Sequence, residues 1–164
     1  VRRIRYSIAG AVALLALVPA TVLAATNYHE DINGIETGYP YTTSDCAAPN
    51  SVSPFAGSAR GTLDGTFQIA VCHTPLSPNA EILGGSFTLT DGATTVTGQF
   101  ANGGTVTLVN QSVLGTACTQ TYAVQGALLP AGSFSGQLVH YGYWTGTSCS
   151  IFFATVSGSA HLRT

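Results

Sequence analysis

Lysine and methionine are absent from this 164-residue chain, and charged residues make up only 7% of it, against about a quarter in an average soluble domain. The low charge and a hydrophobic fraction of 45% exclude disorder driven by charge excess. Without a Glu/Lys-rich heptad there is no coiled coil, and the 19 glycines follow no three-residue period, which excludes collagen. The length suits one domain with an extension. A long hydrophobic run is also missing. The most apolar stretch, Ile8 to Val18, is about half the ~20 residues of a bilayer-spanning helix.

That stretch reads as an address. Arg2, Arg3 and Arg5 precede it, and Val22-Leu23-Ala24 follows. A basic start, a short apolar middle and small terminal residues describe a secretory signal peptide. Residues 1–24 are expected to form this helix, with cleavage after Ala24 and Ala25 as the alternative. Val1 in place of Met is consistent with a bacterial GTG start codon. After cleavage, Arg60 and Arg163 face seven carboxylates, a net charge of −5. Such a surface cannot neutralise several phosphates, so neither nucleic acid nor anionic membrane is an expected partner. The expected location is extracellular.

Cys46, Cys72, Cys118 and Cys149 all lie in the exported part. An even count in an oxidising compartment reads as two disulfides. Cys-x-x-Cys is lacking and His73 is the only histidine next to a cysteine, so zinc-type spacing is missing and no metal or cofactor is expected.

From residue 58 onward, apolar residues alternate with Thr, Ser and Gln. Leu63, Phe67, Ile69 and Val71 share one parity, while Thr62, Asp64, Thr66 and Gln68 share the other. Period two describes a half-buried strand. Comparable segments cover 82–91, 94–101, 104–113, 116–128, 132–145 and 149–162. Asp91-Gly92 and Asn102-Gly103-Gly104 supply tight turns. The expected fold is all-β, a single antiparallel meander of about seven strands over 58–164, closed into a barrel, with a β-sandwich as the alternative. Residues 25–57, rich in acidic residues and Pro with little alternation, read as an extended arm. Counting strand directions puts Cys118 and Cys149 at one end of the sheet and Cys72 at the other. The expected bridges are therefore Cys118–Cys149 and Cys46–Cys72, each worth roughly 3–4 kcal/mol.

Catalytic motifs are thin. Gly-x-Ser-x-Gly, His-Glu-x-x-His and phosphate loops are absent, and no serine stands beside a histidine and an acid in sequence. His29-Glu30-Asp31 reads as part of a solvated arm, His73 as a loop residue and His161 as a terminal strand residue. The densest chemistry is His140-Tyr141-Gly142-Tyr143-Trp144, followed by Phe153. Parity sends His140 and Trp144 to one face and Tyr141 and Tyr143 to the other. Tyr141, Tyr143, Trp144 and Phe153 are the expected ligand-binding residues, suited to a sugar or a small apolar ligand. His140 is the candidate catalytic group. The first functional expectation is a secreted, disulfide-stabilised barrel with a non-catalytic binding or structural role. The alternatives are a small barrel enzyme (isomerase, cyclase or hydrolase) using His140, and a secreted protease inhibitor presenting the Cys72–Glu81 loop.

Overall fold

A computed structural model describes residues 25–164 of the chain; residues 1–24, where a signal peptide is expected, lie outside the described residues. Nine strands follow in order: β1 (Asn27–Glu36), β2 (Ser51–Gly61), β3 (Gly65–His73), β4 (Ala80–Asp91), β5 (Thr94–Phe100), β6 (Gly104–Leu114), β7 (Ala117–Leu129), β8 (Ala131–Trp144) and β9 (Cys149–Arg163). All pairings are antiparallel, and β1 joins β9 to β2, so the sheet closes on itself. Closure removes the free edges that an open sheet would expose. β5 and β6 share one position in the wall. Residues Gly85–Asp91 of β4 pair with β5, whereas Ala80–Ile82 pair with β6, and both then reach β7. The break falls at Gly84 and Gly85, whose φ angles of 153° and 148° only glycine adopts readily.

The fold is the all-β antiparallel barrel expected from the alternation, with nine strands rather than about seven. The difference lies in residues 25–57. They do not hang off the barrel as an arm: β1 and the start of β2 are staves of the wall. Their alternation is hidden because the inward positions of β1 include Glu30 and Gly34, and those of β2 include Ser53 and Gly57. Only residues 37–50 run outside the barrel. There Cys46 bonds to Cys72, with Cα atoms 5.7 Å apart. Val52, Ala70 and Leu83 pack around the bridge as a small second core.

Inside the barrel, Phe67, Phe87, Phe100 and Phe134 are all buried. Phe100 meets Phe87 and Phe134 edge-on, at centroid distances of 6.0 and 6.4 Å, a favoured aromatic geometry. Each such ring contributes about 2 kcal/mol on burial. One end of the barrel is closed by the β2–β3 turn, which lays Leu63 into the core cluster. Glu30, fully buried, accepts the Leu63 N–H at 2.8 Å and fixes this plug. The other end is open and carries the Cys118–Cys149 bridge, Cα atoms 6.0 Å apart. Cys72 also lies at this end, not at the opposite one that the strand count expects, because β5 and β6 run in the same direction and fill one position between them.

Candidate ligand pocket at the open end of the barrel

The phenylalanines stop short of the open end. Ile69, Val71, Leu138 and Val156 wall a cavity of about 200 Å³ that Phe55, Phe100 and Phe134 also line, and Tyr39, Pro40 and Leu76 border it. Branched aliphatic side chains on alternating strand positions leave this space because they are shorter than the phenylalanines below. Four polar side chains reach it: Glu36, Ser53, His73 and His140.

The first three come from three adjacent strands. Ser53 pairs in register with Val71, and His73 with Ser51, so Ser53 and His73 are diagonal neighbours on the inward face. The Ser53 hydroxyl lies 3.0 Å from His73 Nε2. His73 Nδ1 lies 2.7 Å from the Thr74 carbonyl oxygen. A carbonyl only accepts, so Nδ1 carries the proton. In uncharged His73, Nε2 is then an acceptor, and it competes with the Glu36 carboxyl for the one Ser53 hydroxyl proton. Glu36 ends β1 beside Ser53. Burial raises its carboxyl above the ordinary 4.5, and the Ser53 hydroxyl works in the opposite direction.

His140 faces the same cavity from β8. Burial, with the neighbouring His73 as a lesser cause, lowers it from 6.5 to about 4, so its imidazole is uncharged at neutral pH. The Tyr122 ring lies 5.2 Å away. His140 also borders a shallower, more polar groove that holds Gln111, Gln120, Tyr122 and Trp144. Within it Gln120 donates to Gln111 at 2.9 Å and accepts from the Tyr122 hydroxyl at 3.0 Å. An apolar chamber thus opens past one neutral imidazole onto an amide- and indole-lined shelf. Among the described residues, no group of three His, Cys, Asp or Glu side chains is placed to hold a metal ion.

The residues singled out in sequence are divided. His140 lies on the cavity wall and Trp144 on the groove. Tyr141, Tyr143 and Phe153 point to the outer surface, Tyr143 being 62% exposed. There Tyr141 meets Phe153 at 5.7 Å and Tyr143 meets Phe152 at 5.0 Å. The His29-Glu30-Asp31 run is divided as well, and Glu30 is buried, not solvated. His29 Nδ1 faces His161 Nδ1 across the outer surface at 2.9 Å, and Asp31 accepts from Ser159 at 2.6 Å.

Sequence reading missed Glu36, Ser53 and His73. They are separated along the chain and meet only through the β1–β2–β3 register. A strand assignment reaching back to residue 27 was the signal that could have found them. Comparison with family models, with curated proteins and with solved structures returns no match to this chain.

Proposed function

We propose that the chain is exported, oxidised at both disulfides, and acts outside the cytoplasm as a binding protein for a small amphiphile. The apolar part of the ligand enters the barrel, and its polar part lies at the mouth, toward the groove at His140 and Trp144. The observation that carries this reading is the cavity of about 200 Å³ walled by aliphatic and phenylalanine side chains and fringed by four polar groups. An apolar enclosure with few convergent polar atoms is the usual form of a small-molecule site. At ~30 Å³ per water-sized unit, it accommodates roughly six or seven non-hydrogen atoms. The two bridges support an oxidising compartment.

Trp144 is the single tryptophan and borders the groove, so it reports binding. Titration of the oxidised protein with hexyl glucoside is expected to shift Trp144 emission saturably. An unchanged spectrum together with no calorimetric heat rejects the reading. N-terminal sequencing of protein secreted by a bacterial host tests the export step, with Ala25 the expected first residue.

One observation favours a second reading, a small barrel hydrolase. Ser53, His73 and the Thr74 carbonyl have the nucleophile–base–orienter arrangement of acyl transfer. Peptide mapping after treatment with a fluorophosphonate decides it. A phosphonyl group on Ser53 supports hydrolysis, and an unmodified Ser53 removes it.

A further inference from the structure

The ligand head can be specified from the donors and acceptors at the mouth. The single Ser53 hydroxyl proton is within reach of both His73 Nε2 and the Glu36 carboxyl, and the Nδ1 proton of His73 goes to the Thr74 carbonyl. Facing the cavity there remain the free lone pairs of Ser53 Oγ and the two oxygens of Glu36, all acceptors. His140 adds one acceptor nitrogen and one N–H, and no charge. No cation answers Glu36 among the described residues. The two arginines in that range, Arg60 and Arg163, stand at the closed end: Arg60 is the register partner of Asp31, and Arg163 that of Asn27 at the start of β1, whereas Glu36 ends that strand. A half-buried carboxyl without a cation, set above an apolar chamber, is an incomplete ion pair.

We propose that the pocket selects an apolar primary amine, bound as its ammonium ion with the alkyl or aryl tail in the cavity. The three ammonium protons match the Glu36 carboxylate and Ser53 Oγ, with His140 as a third acceptor. A carboxylate head of the same length meets Glu36 with like charge and finds no compensating cation, so fatty-acid-type anions are rejected. An alcohol head supplies one donor and no charge. The mature net charge of −5 acts in the same direction by drawing cations to the surface.

This inference rests on the pocket reading above, and the experiment separates the two. Hexylamine, 1-hexanol and hexanoate share one tail and differ only in the head. Calorimetric titration of the oxidised protein with each, at about pH 8 and low salt, is expected to rank amine over alcohol by at least tenfold, with hexanoate weakest. The Glu36→Gln variant is expected to bring amine and alcohol within about threefold of each other. If that variant does not fold, added NaCl in the wild type replaces it, and weakens amine binding while leaving the alcohol unchanged. If the alcohol or hexanoate binds as tightly as the amine, the amine selection is overturned while the pocket stands. If none of the three binds, the pocket reading falls and the amine selection falls with it.

Discussion

Gly142 on β8 lies against the sulfur of Cys149: a Cβ built at 142 would come within 2.9 Å of that Sγ and 2.5 Å of the Ser150 carbonyl oxygen. Gly142 is also the register partner of Cys118 on β7. The second disulfide therefore spans β7 and β9 across a residue of β8 that has no side chain. That contact explains how two cysteines on strands separated by a third reach bonding distance. Gly142→Ala is expected to displace the bridge or β8 and lower stability by about 1–3 kcal/mol, measured by urea unfolding of the oxidised protein. An unchanged midpoint would show that the bridge does not depend on the missing Cβ. The bridge closes a 31-residue separation, so a Cys118→Ala/Cys149→Ala double variant is expected to lose about 3 kcal/mol.

Glu30 controls the closed end. It is fully buried, accepts the Leu63 N–H, and leaves Oε2 without a partner. Burial raises its carboxyl above 4.5, and the backbone N–H groups of Leu63 and Thr62 oppose the rise. The native state therefore holds this proton more tightly than the unfolded chain does. Its contribution to stability is full below about pH 4.5 and declines as pH rises through the native value. Glu30→Gln, which keeps an acceptor for Leu63, is expected to remove this decline. Glu30→Ala is expected to cost about 1–3 kcal/mol, because the plug N–H groups lose their acceptor in a buried site. Urea midpoints between about pH 4 and about pH 8 measure both, and parallel profiles for wild type and Glu30→Gln would contradict the assignment.

His140 has the opposite sign. Its native value of about 4 lies below the ordinary 6.5, so the unfolded chain binds its proton first. Its contribution is full above about pH 6.5 and is lost as pH falls toward about 4. The size is about 1–3 kcal/mol after allowance for partial solvent contact. His140→Gln is expected to flatten the acid limb of the stability profile. Because Glu30 and His140 act in opposite directions over mildly acid pH, the two single variants should tilt that profile in opposite senses. A common tilt would show that one of the two side chains is not in the environment described.

The barrel was legible where the inward stripe is apolar. Phe67, Ile69 and Val71 in β3, and Phe134 and Leu138 in β8, keep period two and need no tertiary information. The stripe fails in β1, where Glu30 and Gly34 take inward positions. Glu30 is tolerated there only because the β2–β3 turn brings it backbone donors, and that is a long-range fact. The inward position 34 holds glycine because a Cβ there would meet the Phe67 ring at 2.5 Å, which also depends on another strand. The same non-locality hid the Glu36–Ser53–His73 grouping. Its members look ordinary alone, and chemistry appears only through the register. His140 and Trp144 could be placed on one face by parity, because both lie within a single strand.

The cavity itself makes the last prediction. Val71 faces it from β3, half-buried, next to the His73–Ser53 pair in register. Val71→Phe adds a ring to a space of about 200 Å³, so the side chain enters existing volume and does not displace packed neighbours. Overpacking a filled core costs about 1–3 kcal/mol, whereas filling a void restores dispersion contacts that its lining lacks. Val71→Phe is therefore expected to leave the unfolding midpoint unchanged or raised while weakening hexyl-ligand binding more than tenfold. The same substitution at Val96, buried in the packed core away from the pocket, is expected to do the reverse: lower stability and spare binding. If both variants lose stability equally, the space beneath Glu36 and His140 is not available to a ligand.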